Sequence, residues 1–405
     1  MNYFNVVRAS LIAGALAACG TPHFAEQYGF IARLGNDTVS VERVTRSPRS
    51  LVSDDVDRFP LVRRRHTVID LDGDGRVTRL EMDIQTPSGA SPGERYRKVT
   101  ATYTRDSVAV AIRDSNGVAS RTFRTAGALA VPHVSMQYSV IELEIAFALA
   151  QAKVMKLAAG DSVGFRQYYP DRSVGPSFVL HSGYVHLGRG DSVELKHDWL
   201  AGSGDVIVDS SGRMQRYSGM RSTYKVSVQR VADLPDVERI GAAFAATEKR
   251  QEASQLSVRD TARGQIGGTT FAIDYGRPLM RGRVLLGNVI ALDDVWRTGA
   301  NAATQFTTSS AITIGTLTVP AGSYTLWTKP TATGVTLIVN RETGQWGTGF
   351  DYREDLGRTP MRVDTTSTPV EKFTIAVTSS DARRGELVME WGTFRWRAPI
   401  TVTSR

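Results

Sequence analysis

Alternating apolar and polar positions run through most of the chain from about residue 28 onward. Segments such as TVSVERV (38–44) and KVTATYT (98–104) place apolar residues at every second position, which is the pattern of a strand with one buried face. Short polar turns separate such segments, as in Asp114-Ser115-Asn116-Gly117. The pattern predicts that residues 28–232 form an antiparallel sheet.

Two segments depart from this alternation. In YSVIELEIAFALAQAKVMKL, residues 138–157, apolar residues recur at helical spacing opposite charged ones, which predicts one amphipathic helix packed on the sheet. Residues 233–254 predict a second helix, with Pro235 in its first turn, that runs into a polar linker. A long sheet with one packed helix resembles the curved half-barrels of bacterial lipoprotein carriers.

Strand and turn patterns return beyond about residue 255 and continue to the end of the chain. At 405 residues the chain is too long for one ordinary hydrophobic core, because single cores stop growing at roughly 250 to 300 residues. The sequence therefore predicts a mainly β protein of two domains. Residues 255–405 would form the second of these, a β-sandwich-like domain.

The N-terminal residues predict export and lipidation. A short, weakly basic leader precedes the apolar run Ala9–Ala17, which is too short to span a bilayer permanently, and Leu16-Ala17-Ala18-Cys19 then matches a lipobox. Residues 1–18 are predicted to be a lipoprotein signal peptide, with Cys19 acylated and residues 19–27 acting as a tether. An ordinary secretory peptide with an incidental cysteine is the alternative.

The cellular location follows from the residue after the cysteine. Gly20 stands where inner-membrane lipoproteins carry a retention Asp, so by analogy the protein is an outer-membrane lipoprotein of the cell envelope, on the periplasmic or surface face. Its predicted partner is the membrane, through the lipid anchor. The net charge is +8, but Arg63-Arg64-Arg65 is the only basic run, so no nucleic-acid partner is predicted.

Residues 69–82, IDLDGDGRVTRLEM, match a calcium-binding loop. Such a loop needs a helix on each side, whereas both flanks here are β-rich. The turn chemistry also recurs in DSSGRMQRY (209–217), where most of the acids are absent. A structural hairpin is therefore favoured, and a weak calcium site stays the alternative. Its ligands would be Asp70, Asp72, Asp74 and Glu81.

Four phrases stand out between residues 271 and 347. They are Tyr275-Gly276-Arg277-Pro278, Trp296-Arg297-Thr298-Gly299-Ala300-Asn301, Pro320-Ala321-Gly322-Ser323-Tyr324-Thr325-Leu326-Trp327, and Asn340 with Gln345-Trp346-Gly347. In this order and spacing they resemble the bacterial domain-of-unknown-function family two-nine-one-one. The resemblance implies a secreted or envelope β-sandwich-like domain and no established activity.

Polar and aromatic residues of these phrases are candidates for ligand binding. Arginine planes stacked on aromatic rings, with amide donors nearby, can bind carboxylates, phosphates or sugar hydroxyls. The alternative is that the arginines are structural. The candidates are Tyr275, Arg277, Arg281, Arg283, Trp296, Arg297, Asn301, Gln345 and Trp346.

The predicted function is non-enzymatic binding of an envelope ligand. The ligand would be a small apolar molecule on the N-terminal sheet or an anionic or sugar group at the C-terminal Arg/Trp region, and no cofactor is predicted. The C-terminal domain has no His or Cys, which excludes Cys nucleophiles and His-assisted Ser nucleophiles there. The alternatives are an envelope glycan or lipid hydrolase, which needs two carboxylates roughly 5 to 10 Å apart, and a structural tether.

Overall fold

The protein is described here from a computed structural model. The predicted helix at 138–157, the signal peptide and Cys19 lie outside the residues that the structure describes. Those described are residues 25–58, 61–125, 129–130, 158, 160–168, 170, 174–175, 179–186, 192–197, 200–210, 213–223, 225–248 and 256–402.

The first sheet contains fifteen strands in the described part of the chain. They are β1 (Glu26–Leu34), β2 (Asp37–Ser47), β3 (Ser50–Asp57), β4 (Arg63–Leu71), β5 (Val77–Gln85), β6 (Tyr96–Tyr103), β7 (Ser107–Asp114), β8 (Gly117–Arg124), β9 (Leu129–Ala130), β10 (Ser162–Tyr168), β11 (Val179–His186), β12 (Ser192–His197), β13 (Leu200–Val208), β14 (Met214–Ser218) and β15 (Ser227–Val231). The sheet order is β8-β7-β6-β5-β4-β3-β2-β1-β15-β14-β13-β12-β11-β10-β9. All neighbours are antiparallel except β9 and β10.

This sheet curves around one apolar core, as the alternation predicts. Alternate residues of strands such as β1 and β5 are buried in this core, among them Phe30 and Leu80. The curvature brings the two ends of the sheet together, because Phe123 of β8 contacts Tyr168 of β10 with ring centroids 5.1 Å apart. The prediction of a half-barrel-like antiparallel sheet is confirmed.

Two α-helices accompany the first sheet in the described residues: α1 (Pro92–Arg95) and α2 (Val237–Glu248). The helix predicted for 233–254 is α2, which begins two residues after Pro235 because the Asp236 carboxylate accepts a hydrogen bond from the Arg239 backbone N–H at 2.9 Å. Val237 and Phe244 pack on the outer face of β2 and β3. No described helix has the length and hydropathy that crossing a bilayer requires.

The 69–82 segment forms the predicted hairpin between β4 and β5. Asp72 Oδ1 accepts hydrogen bonds from the backbone N–H groups of Asp74 and Arg76, both at 2.9 Å, and Gly75 supplies the positive φ of 77°. Asp209 accepts from the Arg213 N–H at 3.0 Å, as Asp72 does from the Arg76 N–H, so the two copies of the sequence share this hydrogen bond.

The acids of this segment are used in the sheet. Glu81 pairs with Arg79 and lies 3.4 Å from Lys98, and Asp70 lies 3.8 Å from Arg79. Within the described part of the chain, no group of three or more His, Cys, Asp or Glu side chains is arranged to hold a metal ion.

A charged cluster is buried inside the first sheet on β2, β3 and β4. The Arg65 guanidinium lies 2.6 Å from both Asp55 and Asp57, and Ser53 donates a 2.5 Å hydrogen bond to Glu42. Three carboxylates thus share one arginine in the interior. Burial raises the pKa of Asp57 to about 6, although the charge of Arg65 opposes this rise.

The second sheet contains nine strands in the described residues. They are β16 (Ser257–Ile266), β17 (Thr269–Pro278), β18 (Thr304–Thr308), β19 (Ile312–Ile314), β20 (Leu317–Val319), β21 (Gly322–Pro330), β22 (Val335–Asn340), β23 (Asp355–Ser379) and β24 (Arg384–Val402), with a single 3-10 turn at Tyr352–Glu354. Their order is β16-β17-β18-β21-β22-β23-β24-β19-β20.

Strand β23 turns this sheet into a sandwich-like structure. Its first residues pair with β22 and its later residues pair with β24. The pairing with β24 has register shifts on both sides of Val370, which interrupt the regular ladder there. Phe306 and Leu337 from one half of the sheet share a buried core with Trp391 and Trp396 from the other. The predicted β-sandwich-like domain is confirmed.

Candidate functional site

A cavity of about 570 Å³ lies where the first sheet meets loops of the second. One wall comes from the β14–β15 connection, and the others come from the loop before β18 and from the segment after β22. The described lining residues are Met220, Arg221, Ser222, Thr223, Lys225, Gly287, Asn288, Val289, Ile290, Ala291, Asp294, Val295, Trp296, Arg297, Trp327, Gly347, Thr348 and Phe350. We call this cavity the basic pocket.

The WRTGAN phrase, residues 296–301, forms the loop that carries Trp296 and Arg297 into the pocket. It packs backbone against backbone on the YGRP phrase, since a Cβ added to Gly276 would lie 2.2 Å from the Ala300 carbonyl oxygen. Any side chain at Gly276 would clash with the loop, so the glycine allows the loop to pack closely on β17.

Backbone strain concentrates beside the pocket. Four non-glycine residues in the described chain have positive φ, and all lie between residues 281 and 301. Thr298, at φ 51°, is β-branched and fully buried, which makes this conformation costly. Its carbonyl oxygen accepts a 2.6 Å hydrogen bond from Thr304, and its hydroxyl lies 3.2 Å from that of Thr328. Strain of this kind persists where surrounding contacts hold it, commonly at functional sites.

Trp296 is fixed by the aromatic core of the second sheet. Its ring stacks on Trp391 with centroids 6.1 Å apart and meets Phe373 edge-on at 5.1 Å. Its backbone exchanges two hydrogen bonds with Thr328, at 2.7 and 3.0 Å. The residue that precedes Arg297 is therefore rigid, which fixes the direction in which Arg297 leaves the loop.

Arg297 brings an unpaired cation to the pocket. Its aliphatic stem packs on Gly347, where an added Cβ would lie 2.2 Å from the Arg297 Cδ. No described residue forms an ion pair or hydrogen bond with the guanidinium, and burial lowers the pKa of Arg297. A half-buried guanidinium without a counter-ion among the described residues is a position that an anion can fill.

Lys225 brings a second cation from the first sheet. Its Nζ donates hydrogen bonds to the backbone oxygens of Met220 at 2.6 Å and Asn288 at 3.2 Å. Burial, followed by the positive charges of Arg297 and Arg283, lowers the pKa of Lys225 to about 8. No carboxylate contributes to this pKa, so the ammonium group is also available to an anion.

The other charges at the pocket leave it basic. Arg221 is neutralised, because it lies 2.6 Å from Asp205 and 2.9 Å from Glu194. Asp294 is the one carboxylate among the described lining residues, and it accepts the Val295 backbone N–H at 2.8 Å. Lys225 and Arg297 together therefore outweigh the single acid.

Three of the predicted binding arginines make structural bonds. Arg277 lies 2.8 Å from Asp260 and donates to the Phe373 carbonyl oxygen. Arg283 donates to the carbonyl oxygen of Leu279 at 2.6 Å. Arg281 pairs with Asp37 of the first sheet, while its own carbonyl oxygen accepts the Asn36 N–H at 2.9 Å. These contacts match the structural alternative stated for the arginines.

The remaining candidates divide between core and pocket edge. Tyr275 is buried, and its hydroxyl accepts the Ile375 N–H at 2.9 Å; burial raises the pKa of Tyr275. Asn301 accepts the Gly347 N–H at 3.0 Å, and Gln345 donates to Thr325 at 3.1 Å, which positions the 345–350 segment that lines the pocket. Trp346 is 57% exposed at its edge.

The acidic residues near the pocket are held by arginines. Asp351 accepts a bidentate hydrogen bond from Arg353, and this bond lowers the pKa of Asp351 to about 2. Asp355 lies 2.6 Å from Arg358 and accepts a 3.1 Å hydrogen bond from Asn340. A second, more open cavity of about 720 Å³ is lined by Glu342 and residues 349–354 and contains the first of these pairs.

Sequence reasoning selected Trp296 and Arg297 of the pocket and missed Lys225 and the 287–291 wall. Lys225 lies just before β15, in a stretch where polar and apolar residues alternate. Its sequence context therefore suggests an ordinary solvent-facing side chain. The wall belongs to VLLGNVIAL, residues 284–292, an uncharged stretch between Arg281-Gly282-Arg283 and Asp293-Asp294 that could have drawn attention as an exposed loop.

The fold and the pocket define a mainly β protein with a basic cavity between two sheets. Residues 257–400 match the family model described as Protein of unknown function (DUF2911), which confirms the resemblance seen in the four phrases. No curated protein matches the chain.

Two solved structures are similar to this chain. One is a DUF1089 family protein from Pseudomonas aeruginosa, with 14% identity and a TM-score of 0.33, covering 53% of this chain and 97% of that one. The other is a beta-barrel-like protein of domain of unknown function DUF1849 from Brucella abortus, with 10% identity and a TM-score of 0.32, covering 51% of this chain and 95% of that one.

Proposed function

We propose that this protein is an exported, non-enzymatic binding protein for an anionic ligand, which enters the basic pocket and bridges Arg297 and Lys225. The observation that carries the proposal is the pair of cations in one cavity, neither of which has a carboxylate partner among the described residues. Both side chains are half-buried, and partly desolvated charge without a carboxylate partner is common where a ligand or a reaction uses it.

The chemistry of the two cations suits a phosphate, sulfate or carboxylate group. Arg297 offers a planar fork of donors, and Lys225 offers a point charge from the opposite sheet. The pocket is also walled by Trp327 and Phe350, whose ring centroids lie 5.0 Å apart and make part of its lining apolar. Exclusion of water strengthens each charge-assisted hydrogen bond.

The hydrolase alternative receives less support from the pocket. Two converging carboxylates are needed, whereas Asp294 is the single acid among the described lining residues. The apolar-carrier alternative rests on the helix predicted at 138–157, which lies outside the described residues. The inner face of the described strands is filled by the sheet's own side chains.

The proposal is tested by titrating sulfate into the full-length protein by calorimetry at about pH 6.5 and about pH 9.5. Sulfate keeps its charge across this range, so any change in affinity comes from a change in the protonation of the protein. Because the pKa of Lys225 is about 8, its ammonium is present at the lower pH and lost at the higher one, and we expect affinity to fall about tenfold.

Two variants separate this effect from general electrostatics. Lys225→Met should bind sulfate weakly at both pH values, with no slope between them. Arg263→Gln removes an exposed charge of β16 and should behave as the parent. Equal sulfate affinity in the parent and Lys225→Met at both pH values would show that the pocket does not bind anions.

Export is a separate part of the proposal. It is supported by the lipobox at Leu16-Ala17-Ala18-Cys19, and acylation of Cys19 would keep the protein on the outer membrane. We expect the parent protein to fractionate with membranes and Cys19→Ser to move to the soluble fraction. Mass spectrometry of the parent would show acyl chains on Cys19. A parent protein recovered unacylated from the cytosol contradicts this part alone.

A further inference from the structure

The two segments that line the basic pocket also carry the exposed apolar side chains. Among the described residues, nine large apolar side chains are exposed by more than a third of their surface, and five lie in residues 284–292 and 346–352. The remaining four are scattered over strands and connections elsewhere. The five are Val284 at 65%, Leu286 at 38%, Leu292 at 38%, Trp346 at 57% and Tyr352 at 70%.

The 284–292 loop is anchored in the core, and its Val284, Leu286 and Leu292 side chains face solvent. Leu285 and Ile290 are buried and anchor it in the second core, and the Ile290 N–H donates to the Leu285 carbonyl oxygen at 2.8 Å. Between these anchors the chain has no charge to solvate it, since its sequence is VLLGNVIAL. Such a loop exposes apolar area at a cost unless something covers it.

The composition of this surface matches the boundary of a lipid bilayer. Aliphatic side chains of 284–292 suit the acyl region, and the exposed Trp346 and Tyr352 are the residue types that favour the headgroup level. Arg297 and Lys225 line the pocket that these two segments wall, and cations near a bilayer surface attract lipid phosphates. The same two segments thus carry exposed apolar side chains and line a cavity that holds two cations, a combination that suits an anionic phospholipid.

We infer that the rim of the basic pocket docks on an anionic phospholipid bilayer, with residues 284–292 and 346–352 at the acyl boundary and one headgroup phosphate between Arg297 and Lys225. The inference rests on the proposed anion site and names its ligand. No covalent step is involved, because the lipid is bound and not converted.

The test uses the full chain carrying Cys19→Ser, so that no acyl anchor contributes to binding. Sedimentation is compared with vesicles of phosphatidylcholine alone and of phosphatidylcholine mixed equally with phosphatidylglycerol. We expect the protein to prefer the mixed vesicles. Adding Val284→Ser, Leu286→Ser and Leu292→Ser should lower this binding at least about tenfold. A matched control with Val118→Ser and Val363→Ser, at equally exposed sites of the two sheets, should not change it.

Fluorescence gives a second readout. Trp346 emission should shift to the blue on mixed vesicles, and Trp346→Phe should remove that shift while the buried tryptophans remain.

Sulfate titration separates the two proposals. The three-serine variant should bind sulfate as the parent does, which also shows that it is folded. Sulfate binding without vesicle binding would refute the bilayer inference and leave the anion site in place. Vesicle binding that is equal in the serine variant and its control would refute the docking surface. Loss of both sulfate and vesicle binding in Lys225→Met alone would support both proposals.

Discussion

Replacing Arg297 by Met is expected to weaken sulfate binding about thirtyfold and, at the same time, to stabilise the ligand-free protein. The loss of affinity corresponds to about 2 kcal/mol, the range of one charge-assisted hydrogen-bond pair. The gain in stability, about 1 kcal/mol, follows because the guanidinium has no partner among the described residues and burial lowers its pKa. A gain of that size raises Tm by about 2–4 °C.

The opposite signs of these two effects distinguish a binding residue from a structural one. Met keeps the stem that packs on Gly347, so packing changes little. Arg263→Met, at an exposed position of β16, serves as the control and should leave both quantities unchanged. If Arg297→Met lowered Tm in the absence of ligand, the guanidinium would be stabilising the fold, and its assignment as a ligand site would fail. Calorimetry and thermal unfolding of the same samples provide both measurements.

Local patterns predicted the parts of this fold that depend on neighbouring residues. The turn at Asp72 and Gly75 needs only its own side-chain oxygen and one positive φ, so four residues are enough to specify it. Helix α2 follows from a local apolar pattern and the Asp236 cap. Period-two alternation sustained over many strands predicted the antiparallel sheet, whereas its half-barrel shape was expected from the resemblance to bacterial lipoprotein carriers.

The site could be predicted only in part, because it is made by contacts between distant residues. The bond from Lys225 to Asn288 joins positions 63 residues apart, and nothing in the strand pattern around Lys225 indicates it. The arginines present the reverse difficulty. Sequence places Arg277, Arg281 and Arg297 in similar surroundings, yet Asp260 and Asp37 neutralise the first two and no described residue neutralises the third.

The buried charged cluster of the first sheet predicts an unusual pH dependence of stability. Burial raises the pKa of Asp57 from 3.8 to about 6, a difference of about 3 kcal/mol between the two protonation states. The proton is bound more tightly in the folded state, so this carboxyl contributes its full stability below about pH 4 and loses it as pH rises through about 6. Replacing Asp57 by Asn should remove this loss, because the amide keeps an acceptor for Arg65 and does not ionise.

We therefore expect the unfolding free energy of Asp57→Asn, relative to the parent, to rise by about 2 kcal/mol between about pH 4.5 and about pH 8, as measured by urea denaturation. Asp54→Asn is a control of opposite sign on the same strand. Burial raises the pKa of Asp54, but hydrogen bonds from His66 at 2.7 Å and Arg43 at 3.0 Å outweigh it and lower that pKa.

Stability from Asp54 is thus present above about pH 4 and is lost below it, the reverse of Asp57, so the difference between Asp54→Asn and the parent should stay flat from about pH 4.5 to about pH 8 and change only at lower pH. Parallel pH profiles for the parent and Asp57→Asn would mean that Asp57 is already ionised in the folded protein throughout this range. The cluster would then hold three carboxylates against Arg65 without a proton, and the stability of β2, β3 and β4 would have to come from the apolar residues around them.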